Sequence, residues 1–242
     1  MRVLVISDIH ANLAAFEAVL EAAGKVHAVW CLGDVVGYGP NPNECVELLL
    51  EQPNLTCLLG NHDAACIGEM SVSTFNREAR MVVEWTQSVM TEENNQFLKE
   101  RPLVSVMDEV TLVHGSPRQP IYEYMLDVKS AFENLSYFDT DFCFLGHSHL
   151  PLMFTYYPED EHVKLRFPIA GEPLSLQPRS IINPGSVGQP RDRDPRASFA
   201  IYDTDSRSWD LQRVEYDILR TQEQMREVNL PDRHINRLSG GW

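Results

Sequence analysis

Asp8-Ile9-His10, Gly33-Asp34, Gly60-Asn61-His62-Asp63, His114-Gly115 and Gly146-His147-Ser148-His149 stand at spaced points along the chain, and most of them directly follow an apolar run with strand character. Carboxylate, imidazole and amide side chains are the donors that borderline divalent cations accept. The mixture suits Mn, Fe, Zn, Co or Ni rather than Ca. Strand ends along one edge of a sheet are where a chain can gather such donors from distant segments. Asp8 and His10 lie two apart just past a strand, so both side chains fit on one side of a turning loop. Asp34, between Gly33 and Gly37, carries lone pairs enough to bridge two cations. Two cations about 3.5–4 Å apart clamp a phosphorus centre for in-line displacement and acidify a shared water toward neutrality, giving a metal-activated hydroxide. Each cluster alone says little. Together, in this order, they carry the reading.

The elements that must position these residues follow from periodicity. Residues 2–7 read as a strand, Leu13, Phe16, Leu20 and Ala23 recur at helical spacing, and 27–32 form a second apolar run ending at Gly33-Asp34. Asn41-Pro42-Asn43-Glu44 opens a helix through about Leu50, and Leu55 to Leu59 is a third strand. This β-α-β-α-β order implies parallel strands with right-handed crossovers. Residues 72–100 are predicted helical, with Phe75, Ala79, Val82, Val83 and Val89 on one face and Thr91 capping a second helix; they are expected to cover the sheet as an insert or lid. Residues 104–107 and 110–113 read as a hairpin delivering His114, 127–136 as a helix, and 142–145 as the strand delivering His147 and His149. Beyond residue 152 the texture becomes alternating short strands (152–157, 163–167, 179–182, 197–202, 208–214), which predicts a largely antiparallel second sheet. An amphipathic helix over 216–228 closes a domain of residues 1–230, and 231–242 reads as a polar C-terminal tail.

Charge and cysteine usage narrow the partners. The chain has 242 residues and a formal net charge of −15, so long nucleic acid is disfavoured, while small phosphorylated substrates remain compatible with a site whose cations dominate the local field. The five cysteines are odd in number and lack C-x-x-C spacing, which argues against a disulfide framework or a zinc ribbon. Cys31, Cys57 and Cys143 sit in strand-like runs as core residues, and a reducing cytoplasm is the expected compartment. No apolar run approaches the roughly 18–20 residues of a membrane span, and Val3-Leu4-Val5-Ile6 reads as a first strand rather than a leader. The sequence sets no oligomeric state.

From residue 1 to about 190 the five motifs, in this order, resemble the calcineurin-like metallophosphoesterase superfamily. The resemblance implies an α/β (α+β) fold, a four-layer αββα sandwich of two mixed β-sheets flanked by helices. It implies that Asp8, His10 and His149 hold one metal and Asn61, His114 and His147 the other, with Asp34 bridging. Two divalent ions are expected, Mn favoured. His62 matches the catalytic histidine that assists the leaving oxygen, and Asp63 is expected to orient its imidazole through a hydrogen bond. The implied activity is phosphoester, more specifically phosphodiester, hydrolysis. Hydrolysis of dinucleoside polyphosphates or cyclic nucleotides, and a non-catalytic scaffold of the same fold, are the alternatives.

Asn183-Pro184-Gly185-Ser186-Val187-Gly188-Gln189-Pro190-Arg191 is similar to a segment of the smaller prokaryotic phosphodiesterases, which places Ser186, Gln189 and Arg191 on the expected substrate side. The protein Ser/Thr phosphatases of the superfamily carry Asp-Arg after Gly-Asp and Glu after Gly-Asn-His. Here the chain reads Gly33-Asp34-Val35-Val36-Gly37-Tyr38 and Asp63, so a phosphoprotein substrate is disfavoured and Tyr38 and Arg118 are expected to shape the pocket instead. His27, His162 and His234 stand outside the motifs and are expected to be structural.

Overall fold

Strand alternation sets the layers. In the computed structural model, which describes residues 1–242, Val3 and Val5 of β1 (Arg2–Ile6) face an apolar cluster between two sheets, while Leu4 and Ile6 face helices on the other side. β6 (Phe142–Phe144) does the same, sending Phe142 and Phe144 between the sheets and Cys143 outward. Phe144 meets Trp209 edge-on at 4.8 Å and Tyr202 at 5.1 Å. Each such fully buried aromatic contributes on the order of 1.5–3 kcal/mol from area alone.

The two sheets are six-stranded and mixed. The first runs β3-β2-β1-β11-β12-β9, from β3 (Thr56–Cys57), β2 (Ala28–Cys31), β11 (Ala197–Asp203), β12 (Ser208–Val214) and β9 (Leu174–Ser175). The second runs β4-β5-β6-β10-β7-β8, from β4 (Val104–Met107), β5 (Val110–Val113), β7 (Pro151–Tyr157), β8 (His162–Arg166) and β10 (Ser180–Pro184). β1, β2 and β3 are mutually parallel, as are β5, β6 and β10, so each trio delivers its following loops to one edge. Helices α1 (Leu13–Ala23) and α2 (Pro42–Leu50) cover the outer face of the first sheet, and α6 (Val128–Asn134) covers the second. The four-layer expectation holds.

Three expectations shift. The third strand pairs only over Thr56–Cys57, because Leu59 N–H turns to Pro102 O instead of continuing along β2. In the 72–100 region α4 (Arg77–Val89) and α5 (Glu92–Lys99) form as predicted, but Phe75 precedes the helix and Val89 is exposed. Asn76 caps α4, its side chain accepting from Ala79 N–H, and this detaches Phe75 from the helical face. The polar tail is a helix, α8 (Asp232–Gly240). Its Ile235 and Leu238, with Met225 of α7 (Ile218–Glu227), bury against Val82 of α4. One short apolar stripe suffices here because α4 and α7 present the complementary face. No helix is long and apolar enough to cross a membrane.

Candidate metal centre

The loops after β1, β2, β3, β5 and β6 bring all seven expected ligands together. Asp8, His10 and His149 converge in one group and Asp34, His114 and His147 in another; within each group the ligand atoms lie inside 4.8 Å of one another. Asn61 joins the second, its Oδ1 lying 3.1 Å from His114 Nε2. Asp34 Oδ2 stands between the groups, 3.7 Å from His10 Nε2 and 3.4 Å from His114 Nε2, while its Oδ1 accepts the His62 N–H. All seven and His62 are buried.

The backbone is bent to make this possible. Asp8, His10, Asp34, His147 and His149 have φ of 55°, 49°, 55°, 64° and 60°, in the left-handed region that non-glycine residues rarely occupy. Such strain persists only where surrounding contacts over-determine it. Here Asp8 N–H bonds Gly33 O, His10 N–H bonds Asp34 O and His147 N–H bonds Asp8 Oδ2. Gly60 is required for a different reason. A Cβ there would stand 2.1 Å from Asp34 Oδ1.

Tautomers follow from the acceptors. His10 Nδ1 donates to Val36 O, His149 Nδ1 to Gln189 O and His114 Nδ1 to Leu32 O; carbonyls only accept, so the neutral His10 and His149 rings turn the lone pair of Nε2 inward. His10 Nε2 and His149 Nε2 then face each other at 3.1 Å, with Asp8 Oδ1 3.3 Å from the latter. Asp8 Oδ1 and His147 Nε2 have no hydrogen-bond partner. Lone pairs pointed at one another without a proton between them repel; a cation reverses the sign. The donor set fits two divalent ions.

Electrostatics agrees. Burial holds His10 and His149 well below the ordinary imidazole range and pulls His147 down to about 3, leaving these rings in the neutral form that can ligate. Burial, reinforced by Asp34, pushes Asp8 up to about 7. His114 is the exception. Burial opposes its charge, but the adjoining Asp34 carboxylate and Asp8 carry it up to about 9. Correspondingly, His114 outweighs burial and holds Asp34 well below the carboxylate range.

His62 lies beside this cage, its ring 5.0 Å from that of His10, 4.4 Å from Tyr38 and 4.8 Å from Phe75, and burial lowers it to about 4. Gly37, at φ 90°, lets the loop pass within reach of this ring, where a Cβ would meet Nδ1 at 2.7 Å. Asp63 does not orient His62, contrary to expectation. Its Oδ2 accepts from Gly60 N–H and its Oδ1 from Val36 N–H, both at 3.0 Å, and His62 Nδ1 has no partner. As the third residue of α3 (Asn61–Cys66), Asp63 curls back over the helix start and pins the loop that carries Asp34.

A cavity of about 230 Å³ opens on Asn61, His62 and His147. Tyr38 lies on its wall as expected. Met70, Thr74 and Phe75 before α4 form part of the remaining wall, and Ile121, Tyr122 and Tyr124 from the loop after β5, which the sequence reading did not single out, form another part. Tyr124 stacks on His147 at 3.8 Å and 19°. The available signal was the run Ile121-Tyr122-Glu123-Tyr124 so soon after His114, bulky aromatics in a turn with no strand to bury them.

Of the other expected contacts, Arg191 borders Tyr38, its guanidinium 5.7 Å from the ring, and its charge depresses His10, His62 and His149. Arg118 does not line the cavity. It is bound to Glu123 and Glu133 and so fixes the Tyr122–Tyr124 loop from behind. Ser186 is a brace, its hydroxyl donating to Asp8 O and accepting from Gln189 N–H, each at 2.8 Å. Gln189 supports His149 through its carbonyl. His234 is buried in α8 with its ring 4.7 Å from Tyr38, and its ring nitrogens are unpaired. His27 and His162 are away from the site, His162 exposed on β8.

Residues 1–207 match the calcineurin-like phosphoesterase superfamily domain. The crystal structure of a metallophosphoesterase from Sphaerobacter thermophilus superposes with a TM-score of 0.91 at 48% identity, covering 100% of this chain and 99% of the other. A hypothetical protein from Pyrococcus horikoshii shares the fold, with a TM-score of 0.82 at 20% identity over 100% and 98% of the two chains. An uncharacterised protein of Methanocaldococcus jannaschii is 38% identical over 95% of this chain and 94% of its own length.

Proposed function

The chain belongs to the calcineurin-like phosphoesterase superfamily and is a phosphoric ester hydrolase, and within that class we propose a dinuclear metal-dependent phosphodiesterase acting on small esters. The observation that carries this is the convergence of inward lone pairs from Asp8, His10 and His149 on one side and Asn61, His114 and His147 on the other, with Asp34 between. Asp8, His10 and His149 would hold one cation and Asn61, His114 and His147 the second, with Asp34 shared between them. Manganese is the favoured ion, because mixed imidazole and oxygen donors suit it and cellular supply selects among the rest. When bound, such ions acidify water toward neutral pH and neutralise charge on phosphoryl oxygens.

The chain's own residues do the rest. His10, His114 and His149 keep their Nδ1 protons on backbone carbonyls, which orients each Nε2 toward the cage. His62, on the cavity wall and held by Tyr38 and Phe75, supplies the imidazole that stabilises or protonates the departing alcohol oxygen. Tyr124 fixes the plane of His147. Asp63 keeps the Asp34 loop registered on α3. Tyr38 and Arg191 border the substrate, Arg191 as a phosphate contact.

The aromatic wall of Phe75, Tyr122 and Tyr124 favours a second reading, a nucleotide-type ester such as a dinucleoside polyphosphate or cyclic nucleotide, whose flat base would stack there. A scaffold has no use for seven converging donors. The free, buried cysteines suit the reducing cytoplasm as the place of work. The test is hydrolysis of bis-p-nitrophenyl phosphate with added Mn²⁺ together with metal content, expected at two ions per chain. Equal activity in wild type, Asp34→Asn and His62→Ala would overturn the proposal.

A further inference from the structure

Beside Tyr38 and the cage the polarity of the side chains reverses. Arg191, from the loop after β10, donates to Gln189 Oε1 at 2.8 Å, and Arg237 of α8 donates to the same oxygen at 3.3 Å. Arginine cannot accept, so the amide is fixed with its oxygen toward both guanidinium groups. Its Nε2 then has no acceptor, although Gln189 is only 1% exposed, and Arg191 Nε and Arg237 Nε lack acceptors too.

Neither guanidinium has an anionic partner, in a chain whose net charge is −15. The nearby carboxylates are committed elsewhere: Asp192 to Arg213, Asp194 to Arg196 and Glu78 to Arg233. The two cations repel each other across one neutral oxygen, and Arg237 is lowered by burial and then by Arg191. Their place is close to the cage. Gln189 accepts the Nδ1–H of His149, and Arg191 depresses His10, His62, His147 and His149. Arg237 stands beyond the family-matched residues 1–207, on a helix that match does not include.

We propose that Arg191, Arg237 and Gln189 form a second anion subsite, next to Tyr38 and beside the cation cage, that holds a phosphate group of the substrate other than the one attacked. The preferred substrates are then esters carrying two or more phosphates. Guanidinium forks match phosphate oxygens in a bidentate way, and the unpaired Gln189 amide supplies a further donor. This rests on the hydrolase reading but fails separately from it.

The experiment measures AMP and ADP as competitors of bis-p-nitrophenyl phosphate hydrolysis with metal in excess, and in parallel their effect on the thermal midpoint of the metal-loaded protein. The nucleoside is shared, so the difference reports the second phosphate. ADP should compete about tenfold or more tightly than AMP and raise the midpoint further. The ratio should collapse toward one in Arg237→Met and be partly kept in Arg237→Lys. AMP binding as tightly as ADP to the wild type, or an unchanged ratio in Arg237→Met, overturns the subsite. Should Arg237→Met not unfold cooperatively, Arg191→Met and the wild-type contrast decide. Failure of the hydrolase reading would show instead as no bis-p-nitrophenyl phosphate hydrolysis to inhibit.

Discussion

Two polar regions beside Tyr38 are opposites. In the cage, Asp8, Asp34, His10, His147 and His149 turn lone pairs inward, and His114 is the one ring that Asp34 keeps charged. Around Gln189, Arg191 and Arg237 turn N–H groups inward with one oxygen to receive them. Each unmatched buried group costs roughly 1–3 kcal/mol, and a fold retains such a concentration only where a ligand offsets it. The first region asks for cations and the second for an anion. A phosphorylated molecule on bound metal ions presents both.

The largest effects should come from removing the cage's negative charge. Asp34→Asn is expected to lower diesterase turnover by about 10³-fold, since one side chain serves both ligand groups. His62→Ala should cost about 10²-fold, the low end for a proton-transfer group. Rates on bis-p-nitrophenyl phosphate check both, and a milder effect of Asp34→Asn than of His62→Ala would remove the bridge from the scheme.

Next comes Asp63, whose two oxygens hold two backbone N–H groups and not an imidazole. Asp63→Ala should destabilise the protein by about 2–4 kcal/mol in urea unfolding, because Gly60 and Val36 N–H are left buried and unpaired. If Asp63→Ala instead impaired only turnover at full stability, Asp63 would belong with His62 after all.

A smaller effect separates the regions by pH. Asp8 at about 7 and His114 at about 9 are both raised above their ordinary values of 3.8 and 6.5, so the cation-stripped folded state binds more protons than the unfolded chain. Their stabilisation is complete at low pH and fades as pH rises through those values. The histidines held below 6.5 act only on the acid side of that window. The thermal midpoint of chelator-treated protein should therefore fall between about pH 7 and 9, and that of reconstituted protein should not. A flat profile after chelation would mean that the cage is not the charged centre described.

The smallest effect is expected at Arg118. Arg118→Met should leave the urea-unfolding midpoint close to that of the wild type, as for other solvent-accessible ion pairs. It should also leave the ADP-to-AMP ratio as it was. A changed ratio would return Arg118 to the substrate.

Legibility from the sequence was uneven, and the pattern has a cause. The expected ligands were readable because most follow an apolar strand run, which announces itself within a few residues. Asp8, Asp34 and His114 needed no knowledge of their partners. Asp63, Ser186 and Arg118 were placed in the right neighbourhood with the wrong contacts, because a hydrogen bond is chosen among competitors: backbone N–H groups won Asp63, Asp8 O won the Ser186 hydroxyl, and Glu123 and Glu133 won Arg118. Residues 231–242 looked like a tail because two apolar side chains do not make a helix by themselves.

What the chain fixes locally is therefore the two-layer strand pattern and the chemistry presented at strand ends, since side-chain alternation and turn formation depend on near neighbours. What needed the folded molecule is everything set by long-range packing: Phe75 and the Tyr122–Tyr124 loop closing one cavity wall, and α8 docking on α4 and α7 to carry Arg237 to Gln189. These contacts join residues far apart in sequence, and their energies exist only once both partners are in place.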